Sequence, residues 1–341
     1  AYRHSLAQRL DPTAAMIQRV QTLVRRAPKC IVFAEGEEPA VIRAAYAFQE
    51  SGLGRAVLVG REELVRANMA QVGVPEGANL NIVNARLSEH NAAYADYLYK
   101  RLQRFGLLYR DVQRLVNQDR NAFGACMVAL GHADGMVTGT TRNYATALED
   151  VLRVIDPAPR ERPMGMSIVL SKGRTLFIAD TAVAEFPDAP ELAQIVLQSA
   201  AMAKQFGVTP RVALVSHSSF GNPKMERSEK IRAAVSILDR REDTDFEYEG
   251  EMNVDVALNP DVRELYPFSR LSEPANVLVM PAIHSASIST SLLATAGDAT
   301  VIGPVLTGLA RPIQIAPLGA NVSDIVTFAT LAAFQAAESD D

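Results

Sequence analysis

The stretch that decides the fold is CIVFAEGEEPAVIRAAYAFQESGLGRAVLV, residues 30–59. Two short apolar runs, Cys30–Ala34 and Ala56–Val59, flank a helical pattern that extends from Pro39 to Ser51. Glycines lie near the turns that separate these segments. Alternation of short buried strands with helices is typical of a parallel sheet covered by helices. The stretch therefore predicts an α/β protein.

The alternation continues on both sides of this stretch. Asp11 can cap a helix whose first residue is Pro12, and apolar residues follow at helical spacing. Downstream, a helix from Glu62 and a weak strand at 81–83 repeat the pattern. Residues 89–132 then replace it with about three consecutive helices.

A strand and turn return at Asp134–Gly139, and Asn143 can cap a helix that extends to Ile155. The segment Asp156–Pro159 carries two prolines, which prevent the helix from continuing, so we interpret it as a hinge. A second α/β unit is predicted beyond it. Its elements are strands at 164–170, 175–179, 212–215, 277–280 and 301–302, helices at 191–206 and from Met225, and a last helix from Ser323 or Asp324 to about Ala337.

Composition limits the classes of function. The chain has 341 residues, of which 48% are hydrophobic and 21% charged, and a net charge of −5. This length predicts two lobes, and the negative charge makes nucleic acid and anionic membranes poor partners. The two cysteines, Cys30 and Cys126, give no disulfide framework. We expect buried, reduced thiols in a cytoplasmic protein without a signal peptide or membrane span.

Familiar catalytic motifs are missing from the sequence. It has no nucleotide-binding glycine fingerprint, no HExxH, no CxxC and no GxSxG, and its five histidines lack metal-ligand spacing. We therefore expect no cofactor and no metal in this chain. What remains is a set of polar loops that follow apolar strands, where ligands of α/β proteins bind. These loops are 138–143, 180–182, 216–221, 284–289 and 317–324.

Several segments, in this order, resemble the phosphate acetyl/butyryltransferase family. They are FAEG (33–36), AVLVG (56–60), DGMVTG (134–139), AD (179–180), GEMNVD (250–255), ANV (275–277), IGP (302–304) and GLARP (308–312). The likeness covers about residues 14–338. It implies two α/β lobes around a ligand cleft, as in the isocitrate and isopropylmalate dehydrogenases, with the C-terminal strand and helix completing the first lobe. The implied lobes are 1–155 plus 303–341, and 156–302.

The sequence departs from the family where catalytic arginines are expected. The Ser-Arg-Gly motif is Pro317-Leu318-Gly319 here, and the second arginine position is Glu149, although an acid persists at Asp324. Fixed guanidinium groups stabilise the charge that develops during acyl transfer to phosphate, and one lost donor costs roughly 3–4 kcal/mol. The resemblance therefore predicts no catalytic residues and a degenerate transferase cleft.

One subgroup, the hybrid NADP-dependent malic enzymes, resembles the chain more closely. The similar segments are 6–12, 117–121, 140–144 with 148–149, and 280–282 with 284–289. This resemblance implies a regulatory and oligomerisation domain that binds acetyl-CoA as an allosteric inhibitor of malate conversion to pyruvate and CO2. NADP and a divalent metal would bind only in malic enzyme domains of the same polypeptide, to which residues 1–11 would be the junction. The implied acetyl-CoA contacts are Thr140, Thr141, Arg142, Asn143, Ser216, His217, Ser218, His284, Ser285, Pro317, Leu318 and Asp324.

Two other functions stay open: an active phosphate acetyltransferase, and a purely structural dimerisation module. Individual residues also have simpler interpretations. Asp324 can be a charge at a helix N-terminus, Arg142 a surface residue, and Glu251 with Asp255 either a metal pair or a structural pair at the lobe interface. We expect a homodimer, and a higher oligomer in the full-length enzyme, because the family resemblance implies dimers and the second unit has an apolar-rich long helix. Its apolar residues include Ile195, Val196 and 200–203.

Overall fold

The computed structural model describes residues 12–75, 77–171, 173–223 and 226–338. The chain divides into two compact units, each treated separately below. Among the described residues, the first contains 19–160 and 309–338, and the second contains 161–308 together with 12–18. Within the described residues, no helix is both long enough and apolar enough to cross a bilayer.

The first unit alternates strands and helices and then adds a helical layer, as predicted. Its elements are α1 (Pro12–Arg26, of which residues 19–26 belong to this unit), β1 (Lys29–Phe33), α2 (Pro39–Glu50), β2 (Gly54–Val59), α3 (Glu62–Gln71), β3 (Asn81–Val83), α4 (Asn91–Leu102), α5 (Tyr109–Gln118), α6 (Arg120–Ala129), β4 (Gly135–Thr138) and α7 (Tyr144–Leu152). Strand β1 is parallel to β2 and to β4, so the strand–helix–strand prediction is confirmed. Asp11, the predicted cap of α1, lies outside the described residues.

The second unit is built on a mixed sheet. Its elements are β5 (Met164–Ser171), β6 (Arg174–Ala179), α8 (Ala189–Gln205), β7 (Arg211–Val215), α9 (Glu226–Asp239), β8 (Glu247–Met252), α10 (Val254–Leu258), α11 (Pro260–Arg263), β9 (Val277–Val279), α12 (Ile283–Ala296) and β10 (Thr300–Thr307). The strand order is β10-β5-β6-β9-β7-β8. The β10, β5 and β6 strands are antiparallel neighbours, whereas β6, β9, β7 and β8 are parallel.

After β10 the chain returns to the first sheet. Strand β11 (Ile313–Ile315) pairs in parallel with β4, and α13 (Val322–Glu338) follows it. The order of the first sheet is β11-β4-β1-β2-β3. The C-terminal strand and helix therefore complete the first unit, as the family resemblance implies.

Three expectations need correction. The predicted lobe boundary at residue 302 falls inside β10, because Thr300–Thr307 pairs with β5 of the second sheet. The predicted loop at 284–289 is the first part of α12. Hydroxyl groups of Ser285 and Thr290 donate to the carbonyls of Ala282 and Ala286, which lets a serine-rich segment remain helical.

The third correction concerns the apolar residues of α8 that motivated the expected homodimer. Ile195, Val196, Ala200, Met202 and Ala203 are all buried inside the second unit, and only Ala201 of this set is exposed. Their apolar character reflects packing against the unit's own sheet. They are therefore not available to a partner chain.

Candidate ligand-binding cavity

A cavity of about 1250 Å³ lies entirely within the second unit. Its apolar lining includes Val215, Ile231, Val254 and Met280. Polar lining residues are Ser216, His217, Lys230, His284, Ser285 and Ser289, and Phe186, Pro281 and Ala282 complete the wall. Four of the twelve predicted acetyl-CoA contacts, Ser216, His217, His284 and Ser285, are thus brought together.

Sheet topology explains why these residues meet. Strands β7 and β9 are parallel neighbours, with Leu214 opposite Val279, so their carboxyl ends open at the same edge. Ser216 and His217 follow β7 directly, and Met280 follows β9. The edge of a parallel sheet beyond the strand ends is the usual place for a ligand in such folds.

Lys230 supplies a fixed positive charge to the cavity. It lies on α9, and its Nζ donates to the carbonyl of Pro281 at 3.3 Å. Among the described lining residues, it is the one Lys or Arg. The sequence interpretation missed this residue, although its place in the helix that follows the 216–221 loop could have indicated it.

The rim of the cavity carries aromatic and imidazole rings. His284 stacks on Phe186 with ring centroids 5.6 Å apart and an interplanar angle of 30°. Phe186 is largely exposed, and His217 and His284 are exposed as well. A planar ligand group could therefore stack here without displacing the protein's own packing.

Ser218 does not belong to the cavity lining. It is buried, and its Oγ donates to Glu251 Oε1 at 2.9 Å and lies 2.6 Å from Ser228 Oγ. The same Glu251 oxygen accepts from Gly221 N at 2.8 Å, and both carboxylate oxygens accept from Arg232 Nη1 at 3.0 Å. Glu251 therefore holds the 216–221 loop in place.

The structure gives no metal role to Glu251 and Asp255. The Oδ1 atom of Asp255 accepts from the backbone N–H of Val256 at 2.8 Å, while Glu251 pairs with Arg232. In the described part of the chain, no three His, Cys, Asp or Glu side chains are grouped so that they could hold a metal ion.

The 180–182 loop is likewise held by its own carboxylate. Asp180 accepts backbone N–H groups of Gly165, Ala182, Val183 and Ala184 at 2.7–3.1 Å. Burial raises the pKa of Asp180, while these four hydrogen bonds act in the opposite direction. This loop fixes the end of β6 and does not line the cavity.

The predicted contacts in the first unit lie around the ends of β4 and β11. Glu35, just after β1, accepts from Gly139 N at 3.1 Å and from the backbone and hydroxyl of Thr141 at 3.3 and 3.1 Å. Gly319 N donates to Thr140 O at 3.3 Å, which joins the 138–143 and 317–324 loops. Asn143 caps α7 by accepting from Thr146 N at 2.9 Å, as predicted.

Arg142 is neither an exposed surface residue nor an uncommitted cation. Its Nη1 donates to Asp119 Oδ2 at 2.8 Å and also pairs with Asp150. Asp150 is buried and additionally pairs with Arg153 at 2.9 Å. Two carboxylates therefore neutralise the charge that the sequence interpretation assigned to a ligand.

The remaining first-unit residues have separate roles. Asp324 and Asn321 form a reciprocal cap at the start of α13, each accepting the other's backbone N–H at 3.1 Å, so the helix-charge interpretation accounts for Asp324. Pro317 and Leu318 are exposed. Glu149 is also exposed, and it lines a groove of about 680 Å³ together with Arg101, Leu102, Phe105, Leu107, Leu152, Arg153 and Asp156.

Comparison with known proteins identifies the family. The sequence model described as phosphate acetyl/butaryl transferase matches residues 15–333. A phosphotransacetylase from Streptococcus pyogenes has a similar structure, with a TM-score of 0.89 at 27% identity over 95% of this chain and 98% of its own. The chain belongs to the phosphate acetyl/butyryltransferase family, and its fold is that of the phosphotransacetylases.

Full-length relatives are larger than this chain. An NADP-dependent malic enzyme from Rhizobium meliloti (strain 1021) is 57% identical over 337 residues, which is 98% of this chain but 44% of that protein. A phosphate acetyltransferase from Pseudomonas putida is 32% identical over 330 residues, 96% of this chain and 47% of that protein. The chain therefore spans less than half the length of these relatives, and it is a transferase-like domain of the kind found in malic enzymes.

Proposed function

We propose that this chain is the acetyl-CoA-sensing regulatory domain of an NADP-dependent malic enzyme, and that it does not work as a transferase. The observation that carries the proposal is the cavity of the second unit. It combines Lys230, two imidazoles and several hydroxyl groups with an apolar wall. NADP and a divalent metal would act in parts of such an enzyme outside this chain.

The cavity's chemistry fits the parts of acetyl-CoA. The Lys230 ammonium can bind a phosphate as a point charge. Phe186 and His284 offer a surface on which adenine can stack, and Met280 with Val215 and Ile231 offers an apolar path for the pantetheine arm. Ligand pockets commonly measure about 300–1,000 Å³, so a cavity of about 1250 Å³ is large enough for a sizeable part of this ligand.

The two positions of the first unit where the family resemblance expects an arginine carry none. Leu318, at the place where the family resemblance expects an arginine, exposes 65% of its surface and offers no hydrogen-bond donor. Glu149, at the second such place, is an exposed acid. Arg142 is paired with two carboxylates. These three observations favour a binding role over catalysis.

Similarity to malic enzymes supports the regulatory part of the proposal. The 57% identity to one malic enzyme exceeds the 32% identity to a phosphate acetyltransferase over nearly the same span. A binding site that has no chemistry of its own can still control a linked enzyme through a coupling free energy of about 1–3 kcal/mol, which is roughly 5- to 150-fold in affinity.

The test is calorimetry of this chain with acetyl-CoA, before and after Lys230→Met. Hydrogen bonds to charged groups contribute about 1.5–3 kcal/mol, and partial solvent screening places the effect here near the lower end, so we expect roughly tenfold weaker binding. Lys100→Met, on an exposed position of α4, is the control that matches the loss of charge. Absence of heat from the unmodified chain at millimolar acetyl-CoA would reject the sensor and leave a structural module.

A working phosphate acetyltransferase is the second candidate, favoured by the similarity to the Pseudomonas putida enzyme. We expect no acetyl phosphate synthesis from acetyl-CoA and phosphate. A turnover within about tenfold of the ~10 per second that is typical of enzymes would overturn the proposal of an inactive domain.

A further inference from the structure

A buried carboxylate behind the cavity determines which way the nearby serine hydroxyls point. Glu251 is fully buried and pairs with Arg232 at 3.0 Å. A carboxylate held by a guanidinium only accepts hydrogen bonds, and Ser218 Oγ donates to it at 2.9 Å. A hydroxyl has one proton, so the Ser218 oxygen can only accept from its other neighbours.

The direction of these hydrogen bonds continues through two more serines. Ser228 Oγ lies 2.6 Å from Ser218 Oγ, so Ser228 is the donor of that pair. Ser216 Oγ, which belongs to the cavity lining, lies 3.2 Å from Ser228 Oγ and 3.3 Å from Ser218 Oγ. Both inner hydroxyls have already donated their protons, so Ser216 donates inward. His217 Nδ1, at 3.5 Å, is at the outer limit of a hydrogen bond to the same oxygen.

A second serine of the lining has the same property for a different reason. Ser285 Oγ donates to the carbonyl of Ala282 at 2.8 Å, on the α12 side of the cavity. Ser216 and Ser285 therefore both donate their protons within the protein. Each oxygen has a lone pair left for a ligand, so these two lining hydroxyls act as acceptors.

We propose that Ser216 and Ser285 form a subsite that accepts hydrogen bonds from N–H groups of the ligand, and that the secondary amides of the pantetheine arm are these groups. Phosphates are largely deprotonated at neutral pH, so an acceptor subsite does not suit them. Ser216 directly follows Val215, and Ile231 belongs to the same apolar wall. An amide N–H between methylene groups fits such a place. The subsite rests on the proposed acetyl-CoA site and assigns the part of the ligand that it recognises.

Lys230 and the serine subsite then recognise different parts of one ligand. The ammonium group of Lys230 has only donors and suits a phosphate, whereas the serine oxygens suit an N–H group. A site that pairs with a ligand N–H discriminates against an analogue without it, because its acceptor is then left unpaired. We therefore expect the cavity to prefer CoA thioesters over phosphate compounds that lack the pantetheine arm.

Calorimetry of the 341-residue chain with two ligands at pH 7.5 tests the subsite. Acetyl-CoA contains the pantetheine arm, whereas adenosine 3′,5′-bisphosphate has adenine and phosphates without it. Ser216→Ala should weaken acetyl-CoA binding about fivefold and change bisphosphate binding less than about twofold, because one neutral hydrogen bond is lost. Ser285→Ala should show the same selectivity. Ser216→Thr keeps the hydroxyl and should retain most of the affinity.

Ser236→Ala is the control for the loss of a serine hydroxyl. Ser236 is an exposed residue of α9, outside the cavity lining, whose hydroxyl donates to the carbonyl of Arg232 at 3.0 Å. This variant should bind both ligands as the unmodified chain does. Circular dichroism of each variant checks that it is folded.

The outcomes separate the subsite from the site that contains it. Equal weakening of both ligands by Ser216→Ala, or no weakening of acetyl-CoA binding, would overturn the amide subsite while the sensor stands. An equal loss in Ser216→Thr and Ser216→Ala would overturn it as well. Absence of heat from the unmodified chain at millimolar acetyl-CoA would reject the sensor, and the subsite with it. Selective weakening of acetyl-CoA binding that Ser216→Thr avoids would support the subsite.

Discussion

Replacing Glu251 with glutamine tests whether this buried carboxylate holds the cavity loop. Glu251 is fully buried and accepts hydrogen bonds from Ser218, Gly221 N and Arg232. Glutamine keeps the size and one acceptor oxygen. The NH2 group of the glutamine amide, however, must face either the 216–221 loop or the Arg232 guanidinium. Both of these supply hydrogen-bond donors, so at least one hydrogen bond is replaced by two donors that face each other.

The expected loss of stability follows from the environment of the pair. Breaking a buried ion pair by removing one partner costs about 3–5 kcal/mol. The Arg232 side chain is 32% exposed, so water screens part of the charge that remains. We therefore expect a decrease of about 2–3 kcal/mol in the free energy of unfolding of the second unit.

Urea unfolding followed by circular dichroism measures this effect. With slopes of about 1–3 kcal/mol per molar urea, the midpoint should fall by roughly 1 M. Glu229→Gln is the control, because Glu229 approaches the same Arg232 at 3.8 Å but is 54% exposed. The double variant with Arg232→Met should recover part of the stability, since it removes the unpaired charge. Equal midpoints for Glu251→Gln and Glu229→Gln would refute the assigned role.

Three further outcomes are expected. Burial raises the pKa of the Cys30 thiol, and it raises the pKa of the Cys126 thiol to about 12. A thiol reagent at pH 8 should therefore label neither cysteine in the folded protein and both in the unfolded protein. Rapid labelling of the folded protein would contradict this prediction. The hydrogen bond from Arg61 lowers the pKa of Glu37. The ionised carboxylate therefore stabilises the fold above its unfolded pKa, and this stabilisation is lost as the pH falls through the lower folded pKa. Glu37→Gln should lower the free energy of unfolding by about 0.5–1 kcal/mol at pH 7 and should make its decline below pH 5 less steep. Gly139 has a φ of +106°, and a Cβ added there would lie 2.4 Å from the carbonyl oxygen of Ala316. Gly139→Ala should therefore lower the free energy of unfolding by about 2–4 kcal/mol. A decrease below about 0.5 kcal/mol would count against this geometry.

Elements with a clear hydrophobic period were predictable from the sequence. Strands β1 and β2 contain the short apolar runs CIVF and AVLV, and α4 and α5 bury residues at helical spacing, whereas α6 is buried along most of its length. Strand β8 was missed because its sequence, EYEGEM, carries three glutamates. The structure buries Glu249 and Glu251 by pairing them with Arg270 and Arg232, and such pairs between distant segments leave no local signal.

The candidate site was predictable only where the order of the strands and helices along the chain determines it. Ser216, His217, His284 and Ser285 follow strands or begin a helix, so their place at one sheet edge follows from the order of elements. The hydrogen bonds of Ser218 with Glu251 and of Arg142 with Asp119 join residues 33 and 23 positions apart in the chain. Asp150, the other partner of Arg142, lies in the helix that follows it. The neutralisation of the Arg142 charge by two carboxylates is visible in the three-dimensional structure but not in the sequence. Whether acetyl-CoA occupies the cavity stays a prediction.

The return of β11 to the first sheet has a consequence for how the protein is made. Glu161–Gly308 is one continuous segment, whereas the first unit needs β11 at 313–315 and α13 at 322–338 to cover β4 and β1. Synthesis proceeds at about 5–20 residues per second, and domains generally fold as units while the chain emerges. The second unit can therefore finish folding before the first. For some seconds the sheet of the first unit then has its β4 edge unpaired, until β11 has been synthesised. During translation this unpaired edge is open to pairing with a strand of another chain.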